Sequence, residues 1–300
     1  MSRIPFGTIL PTTVVGSYPV AKGRGISGLF DPFREAVKTA VTDQVTAGID
    51  IISDGQVRGD MVGMFTGLIP GIRGNEVIGP VSPAPGPITV ADTRYALSRA
   101  SRVKGIVTGP STLSFALHIT TPSYRSRAEL ALDLAKVLSH EAMLLEEAGV
   151  SIIQVDEPIL STGSADLRLA TEALRLVTAN LSVPVCLHVC GNLSTVIDDL
   201  VTMPVDILDG EFAKSPENLT LFRDLDLGTK MVGFGCVDSS RPEVEEVDTI
   251  RARIERALAV FEPDQILIDP DCGLRMLPRT AAFSKLSRMV EAAHQVRATL

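Results

Sequence analysis

The spacing of apolar and polar positions switches repeatedly along the chain. Short β-branched or apolar runs alternate with longer stretches in which apolar residues recur every three or four positions. The short runs predict eight strands, at 13–17, 51–56, 105–110, 152–158, 185–191, 207–213, 231–237 and 266–273, each closed by Gly, Pro or polar residues. The longer stretches predict helices at 33–47, 127–148, 165–181, 193–203, 216–225, 247–261 and 280–300. The segment 127–148 is rich in Ala, Leu, Glu and Lys and stops at Gly149. Asn192 is placed to cap a helix that begins at Leu193, and Pro216 suits a first helical turn. One stretch, 70–89, breaks the alternation. Its many Gly and Pro residues read as an excursion or small hairpin after the second strand.

Strand–helix alternation of this kind predicts an α/β protein: a single (β/α)8 TIM barrel over residues 1–300. The rival, a doubly wound open sheet, is weakened because no GxGxxG follows the first strand. Barrel enzymes carry their chemistry at the C-terminal ends of the strands. The polar residues of this chain fall there: Gly16 and Ser17, Asp54 to Gln56, Asp156 and Glu157, His188 with Cys190, Glu211, and Asp271 with Cys272.

Composition narrows the function. At 45% hydrophobic and 21% charged residues over 300 positions, there is ample material for one large core. A net charge of -8 without a basic run excludes phosphate-tracking surfaces, so neither a nucleic acid nor an anionic membrane is an expected partner. Trp is absent and aromatics are 4%, which leaves no base-stacking platform. No apolar run reaches the roughly 18 residues of a membrane span. The first residues are too polar for a signal peptide, so a cytoplasmic location is expected. The four cysteines lie between 186 and 272, too few for a disulfide scaffold and clustered as metal ligands or catalytic thiols are.

His188 and Cys190 are two residues apart and share one face of a strand. Glu211 and Cys272 end other strands, and barrel closure can bring all four above one point. Two thiolates, one imidazole and one carboxylate form a tetrahedral zinc set. Cys186 and Cys236 are expected to be small buried hydrophobes. His118, His140 and His294 are expected to be solvated or packed, and Glu157 structural.

These residues sit in a series of motifs: Leu10-Pro11-Thr12-Thr13 with Gly16-Ser17, Asp54-Gly55-Gln56 with Gly59-Asp60-Met61-Val62, Gly109-Pro110-Ser111-Thr112, Gln154-Val155-Asp156-Glu157-Pro158, His188-Val189-Cys190, the Glu211 segment, and Asp269-Pro270-Asp271-Cys272-Gly273-Leu274. In that order the sequence resembles the catalytic C-terminal barrel of cobalamin-independent methionine synthases, and more closely the short archaeal-type members. The resemblance implies Zn2+ on His188, Cys190, Glu211 and Cys272, with Glu211 yielding when a substrate sulfur enters the shell. A dithiolate–carboxylate shell is electron-rich, which suits alkylation of a bound thiol better than water activation. It also implies L-homocysteine as acceptor. Its carboxylate would meet Val15, Gly16 and Ser17, and its ammonium would meet Asp156.

Three departures from the long enzymes bear on the remaining roles. Their second substrate-binding Glu is Gln56 here, which can accept from an ammonium through its amide oxygen, and Asp54 is near enough in sequence to add the missing charge. A second, folate-binding barrel like theirs is not expected, and there is no Trp near 111–117, where Phe115 is the only aromatic. The stretch 237–242 has no His to protonate a folate leaving group, leaving Asp238 as candidate acid or positioning group. The implied methyl donor is therefore methylcobalamin or a corrinoid protein, with methyltetrahydrofolate as the alternative. Transfer to another thiol such as coenzyme M, a metal-free decarboxylase on the related barrel, and a zinc-stabilised amino-acid-binding protein are the competing readings.

Overall fold

The computed structural model describes residues 6–20 and 31–300. Six strands form one parallel sheet: β1 (Lys104–Thr108), β2 (Ile152–Asp156), β3 (Val185–Val189), β4 (Ile207–Glu211), β5 (Met231–Val237) and β6 (Ile266–Pro270). Neighbours in sequence are neighbours in space throughout. The ring is closed by two further segments. Thr12 bridges Ile268 of β6, Thr13 bridges Ile51, and Ile52 bridges Val103 at the start of β1, all parallel. The predicted single barrel of eight parallel segments is thus the observed fold. No helix among the described residues is long and apolar enough to cross a membrane.

The first two predicted strands are cut to single bridges, the second of them for a local reason. Gln44, on the helix Arg34–Ala47, uses its side-chain amide as a substitute strand. Its Oε1 accepts from Ser53 N at 2.8 Å and its Nε2 donates to Ser53 O at 3.2 Å. Beyond Ser53 the chain turns through Gly55 and Gln56, both at positive φ. The helix predicted from Leu193 begins at Ile197, because Leu193 N donates to the buried Asn218 side chain. Asn192 caps nothing there; its Oδ1 accepts from Ser194 N. Pro216 is the N-cap position of Glu217–Leu221 and not its first turn. The excursion at 70–89 contains the expected hairpin, Ile72–Arg73 against Glu76–Val77, and recruits His118–Ile119 as a third strand. The segment Arg127–Ala148 is a single helix as predicted, capped by Ser126 and closed by left-handed Gly149.

Inside the barrel, alternate residues stack in layers. Phe6, Ile51, Ile152, Cys186, Ile207 and Leu267 form a closed apolar cluster. Two residues further along the strands stand Gln154, His188, Asp209 and Asp269, all buried and all polar. Gly233 faces Asp209 across β4 and β5, and a Cβ there would come within 2.7 Å of the Asp209 side chain. The missing side chain makes room for the carboxylate. One apolar floor therefore supports a polar layer, and the strand ends above it carry the candidate chemistry.

Candidate metal centre

His188, Cys190 and Cys272 converge. One ligand atom from each lies within 4.8 Å of the other two. His188 is the fourth residue of β3, Cys190 follows one residue after its end, and Cys272 comes two residues after β6. Closure of the ring brings the two strand ends together. Cys186 and Cys236 are buried in the apolar core, as predicted, and all four cysteines are free. His118, His140 and His294 are exposed.

His188 is held from below. Its Nδ1 is 3.2 Å from Asp209 Oδ1, and both side chains are out of water. Burial favours a neutral imidazole, but the Asp209 carboxylate outweighs it and holds His188 well above the usual histidine range. The same pairing keeps Asp209 below the usual carboxylate range against its own burial. With Nδ1 beside the Asp209 carboxylate, Nε2 is the nitrogen left for a metal, and among the described residues neither ring nitrogen has a well-aligned hydrogen-bond partner. The two thiols are linked. A hydrogen bond from Cys190 lowers Cys272 to about 4 against the effect of burial, and the same bond, aided by burial, pushes Cys190 up. An imidazole beside two sulfurs suits a thiophilic divalent ion such as zinc.

Above this group lies a cavity of about 280 Å³. Its wall includes Val15, Ser17, Gln56 and Asp156 together with His188, Cys190 and Cys272. Asp156 is buried, which pushes its carboxyl up to about 6; the charge of His188 and a hydrogen bond from Gln154 oppose that rise. Gln56 has φ 43, a conformation that costs a non-glycine residue about 1–3 kcal/mol. It is held there by Asp54 Oδ1 on its N–H at 2.8 Å and by Arg275 Nη1 on its carbonyl at 3.1 Å.

The remaining predicted residues are placed differently. Asp54 does not line the cavity. It is buried behind Gln56, and burial pushes its carboxyl up to about 7, partly opposed by the Gln56 N–H. Gly16 adjoins the cavity through a smaller recess shared with Val15, Ser17, Cys272 and Gly273. Glu211 is buried, but its Oε1 accepts from Ser215 Oγ at 2.9 Å, and it is not one of the three converging donors. Asp238 also lies off the cavity wall. Ser240 N and Oγ donate to one carboxylate oxygen and Arg241 Nε to the other, and against burial they keep it below the usual range. An acid held ionised in that way is poorly suited to donate a proton. Glu157 is structural, as expected: its carboxylate receives Ser111 N, Thr112 N and Thr112 Oγ1 at 2.7–2.8 Å.

Sequence reasoning missed Asp209 and Asn218, and it placed Asp271 at a strand end without giving it a role. Asp271 accepts from Phe212 N, Ala213 N and Lys214 N, tying the Cys272 turn to the chain after Glu211. Asn218 donates to Gly191 O and Glu211 O, joining the ends of β3 and β4. The available signal for Asp209 was its place two residues before Glu211 on a strand, on the same face.

Comparison with known proteins gives the family of the chain. Residues 10–295 match the family model described as cobalamin-independent synthase, catalytic domain. The methionine synthase of Methanothermobacter marburgensis is 45% identical over 308 residues, covering 95% of this chain and 99% of the relative. That of Methanocaldococcus jannaschii is 42% identical over 310 residues, covering 95% and 99%. A solved B12-independent methionine synthase from a Shewanella species, in complex with selenomethionine, superposes with a TM-score of 0.86 at 25% identity, covering 97% of this chain and 99% of that one. The barrel and its thiol-rich mouth are those of a methyltransferase. The chain belongs to the cobalamin-independent synthase catalytic-domain family, in the methionine-synthase branch.

The Asp209–His188 pair yields a prediction. Asp209→Asn should weaken metal binding by about 10–100-fold, measured by competition with a chromogenic chelator. Unchanged affinity would contradict the role given to Asp209.

Proposed function

We propose that this chain makes methionine by transferring a methyl group to the thiol of L-homocysteine, with zinc as its resident metal. The observation that carries this reading is the convergence of His188, Cys190 and Cys272 in one cavity wall with Asp156, Gln56 and Ser17. His188, Cys190 and Cys272 would hold the ion, and Glu211 is the proposed fourth donor. Bound there, zinc would supply Lewis acidity that keeps a substrate thiol ionised at neutral pH.

The protein's own residues handle the other end of the substrate. Asp156, as a carboxylate, takes the ammonium. The amide oxygen of Gln56 is a second acceptor for it. Backbone at Val15 to Ser17, with the Ser17 hydroxyl, takes the substrate carboxylate. Asp54 acts through Gln56 by fixing its backbone. This assignment favours an amino-acid thiol over a sulfonated one such as coenzyme M, because an anionic acid at Asp156 would repel a sulfonate.

The proposed donor is methylcobalamin or a corrinoid protein. A cobalt leaving group needs no proton, whereas a folate amine does. Asp238 is held as a carboxylate and 237–242 contains no His, so this segment offers no proton donor. The chain also has no Trp to stack on a pterin.

Two outcomes test the reading. Zinc-loaded protein given homocysteine anaerobically should form methionine with methylcobalamin and not with methyltetrahydrofolate. Methionine from the folate alone would overturn the donor, and none from any methyl donor, corrinoid protein included, would overturn the reaction. Because Asp156 must be ionised to hold an ammonium, KM for homocysteine should rise as pH falls through about 6 while metal content stays constant. Asp156→Asn should raise KM about tenfold or more and abolish that pH dependence. A variant that keeps the wild-type profile would remove Asp156 from the pocket.

A further inference from the structure

The barrel interior holds two polar side chains that touch neither the metal group nor the cavity. Lys104 is 2% exposed and Gln154 is 0% exposed. A buried ammonium is costly unless its donors are used. Lys104 Nζ donates to Val14 O at 2.9 Å and to Gln154 Oε1 at 2.7 Å. Its charge is also felt by Asp209 and Asp269 on the far strands.

Lys104 has only donors, so Gln154 has to turn its amide oxygen toward it. The orientation of the Gln154 amide is thereby fixed. Its Nε2 faces the other way and donates to Val15 O and to Asp156 Oδ1, each at 2.6 Å. One ammonium thus controls two distant places. Through Val14 O and, by way of Gln154, Val15 O, it holds the segment that leads into Gly16 and Ser17. Through Gln154 it turns Asp156 so that one carboxylate oxygen is engaged and the other is free.

We propose that Lys104 and Gln154 are positioning residues that align the two halves of an amino-acid recognition site, the acceptor of the ammonium and the backbone that meets the carboxylate. The inference rests on the proposed amino-acid thiol substrate. It adds that recognition of the amino-acid end is set from inside the barrel, separately from capture of the sulfur. The pair acts on substrates that carry both an ammonium and a carboxylate, and is indifferent to the thiol itself.

That separation supplies the test. Cobalt(II)-loaded protein is titrated with L-homocysteine and with n-propanethiol, which has the sulfur without the amino-acid end, and the thiolate-to-cobalt absorption is read. Wild type should bind homocysteine more tightly. Gln154→Glu keeps a partner for Lys104 but removes the N–H from Asp156 and Val15 O. It should weaken homocysteine about tenfold or more while leaving n-propanethiol within about twofold. Lys104→Met should shift the same ratio in the same direction, and Gln154→Glu carries the test if Lys104→Met does not fold. Parallel weakening of both thiols, or no change in either, would overturn the proposal by assigning the pair to the fold alone. A wild-type protein that binds the two thiols equally would overturn the amino-acid pocket itself, and with it this inference.

Discussion

Closing the parallel sheet into a ring is the constraint on which the site depends. Ile268 of β6, hydrogen-bonded to Pro11 O and Thr13 N on either side of Thr12, and Ile52, hydrogen-bonded to Arg102 O and Lys104 N at the start of β1, turn six strands into a barrel with one mouth. Side chains on alternate positions have nowhere else to point. His188 and Cys190 rise from β3, and Cys272 arrives from beyond β6, so donors 82 residues apart in sequence (190 to 272) meet within 4.8 Å. An open sheet of the same strands would leave β3 and β6 three strand spacings apart, about 14 Å.

The polar layer inside the ring is expensive to bury, and its pairing explains how it persists. Asp209 is matched by His188 and feels Lys104; Lys104 is matched by Gln154 and a backbone carbonyl. Among the described residues no donor is aligned on either Asp269 oxygen, and burial, aided by the neighbouring Asp209 carboxylate, pushes it well up, toward the neutral acid that costs least in such a place. The consequence is an interior whose charges are arranged beneath the metal group. Asp209 orients the imidazole, and Lys104 with Gln154 orients Asp156. Gly233 and Gly235 on β5 leave space for this arrangement, since a Cβ at either would collide with Asp209 or with the Asp271 segment.

Much of this was legible in the chain because barrel geometry is periodic. Eight apolar runs with polar ends point to the fold, and the two-residue spacing of His188 and Cys190 points to two of the three side chains that converge. What escaped the sequence depended on side chains that act over long separations. Gln44 replaces a strand neighbour at Ser53, so the second strand ends early. Asn218 reaches Leu193 and displaces a helix start. Asp54 resembled a pocket residue from its spacing to Gln56, yet the left-handed turn at Gly55 and Gln56 sends it behind the wall. Asp238 looked like an available acid, but Arg241, three residues on, holds its charge. Lys104 was not singled out either: it is the first residue of β1, and its buried partners Val14 and Gln154 lie 90 and 50 residues away in the chain.

X-ray absorption at the zinc edge, on protein dialysed to equilibrium with zinc, decides whether two sulfurs and one imidazole of this barrel form a metal centre. One zinc per chain is expected, with a shell containing two sulfurs and one imidazole nitrogen from the protein. A shell made only of oxygen and nitrogen, or no retained zinc, would contradict it.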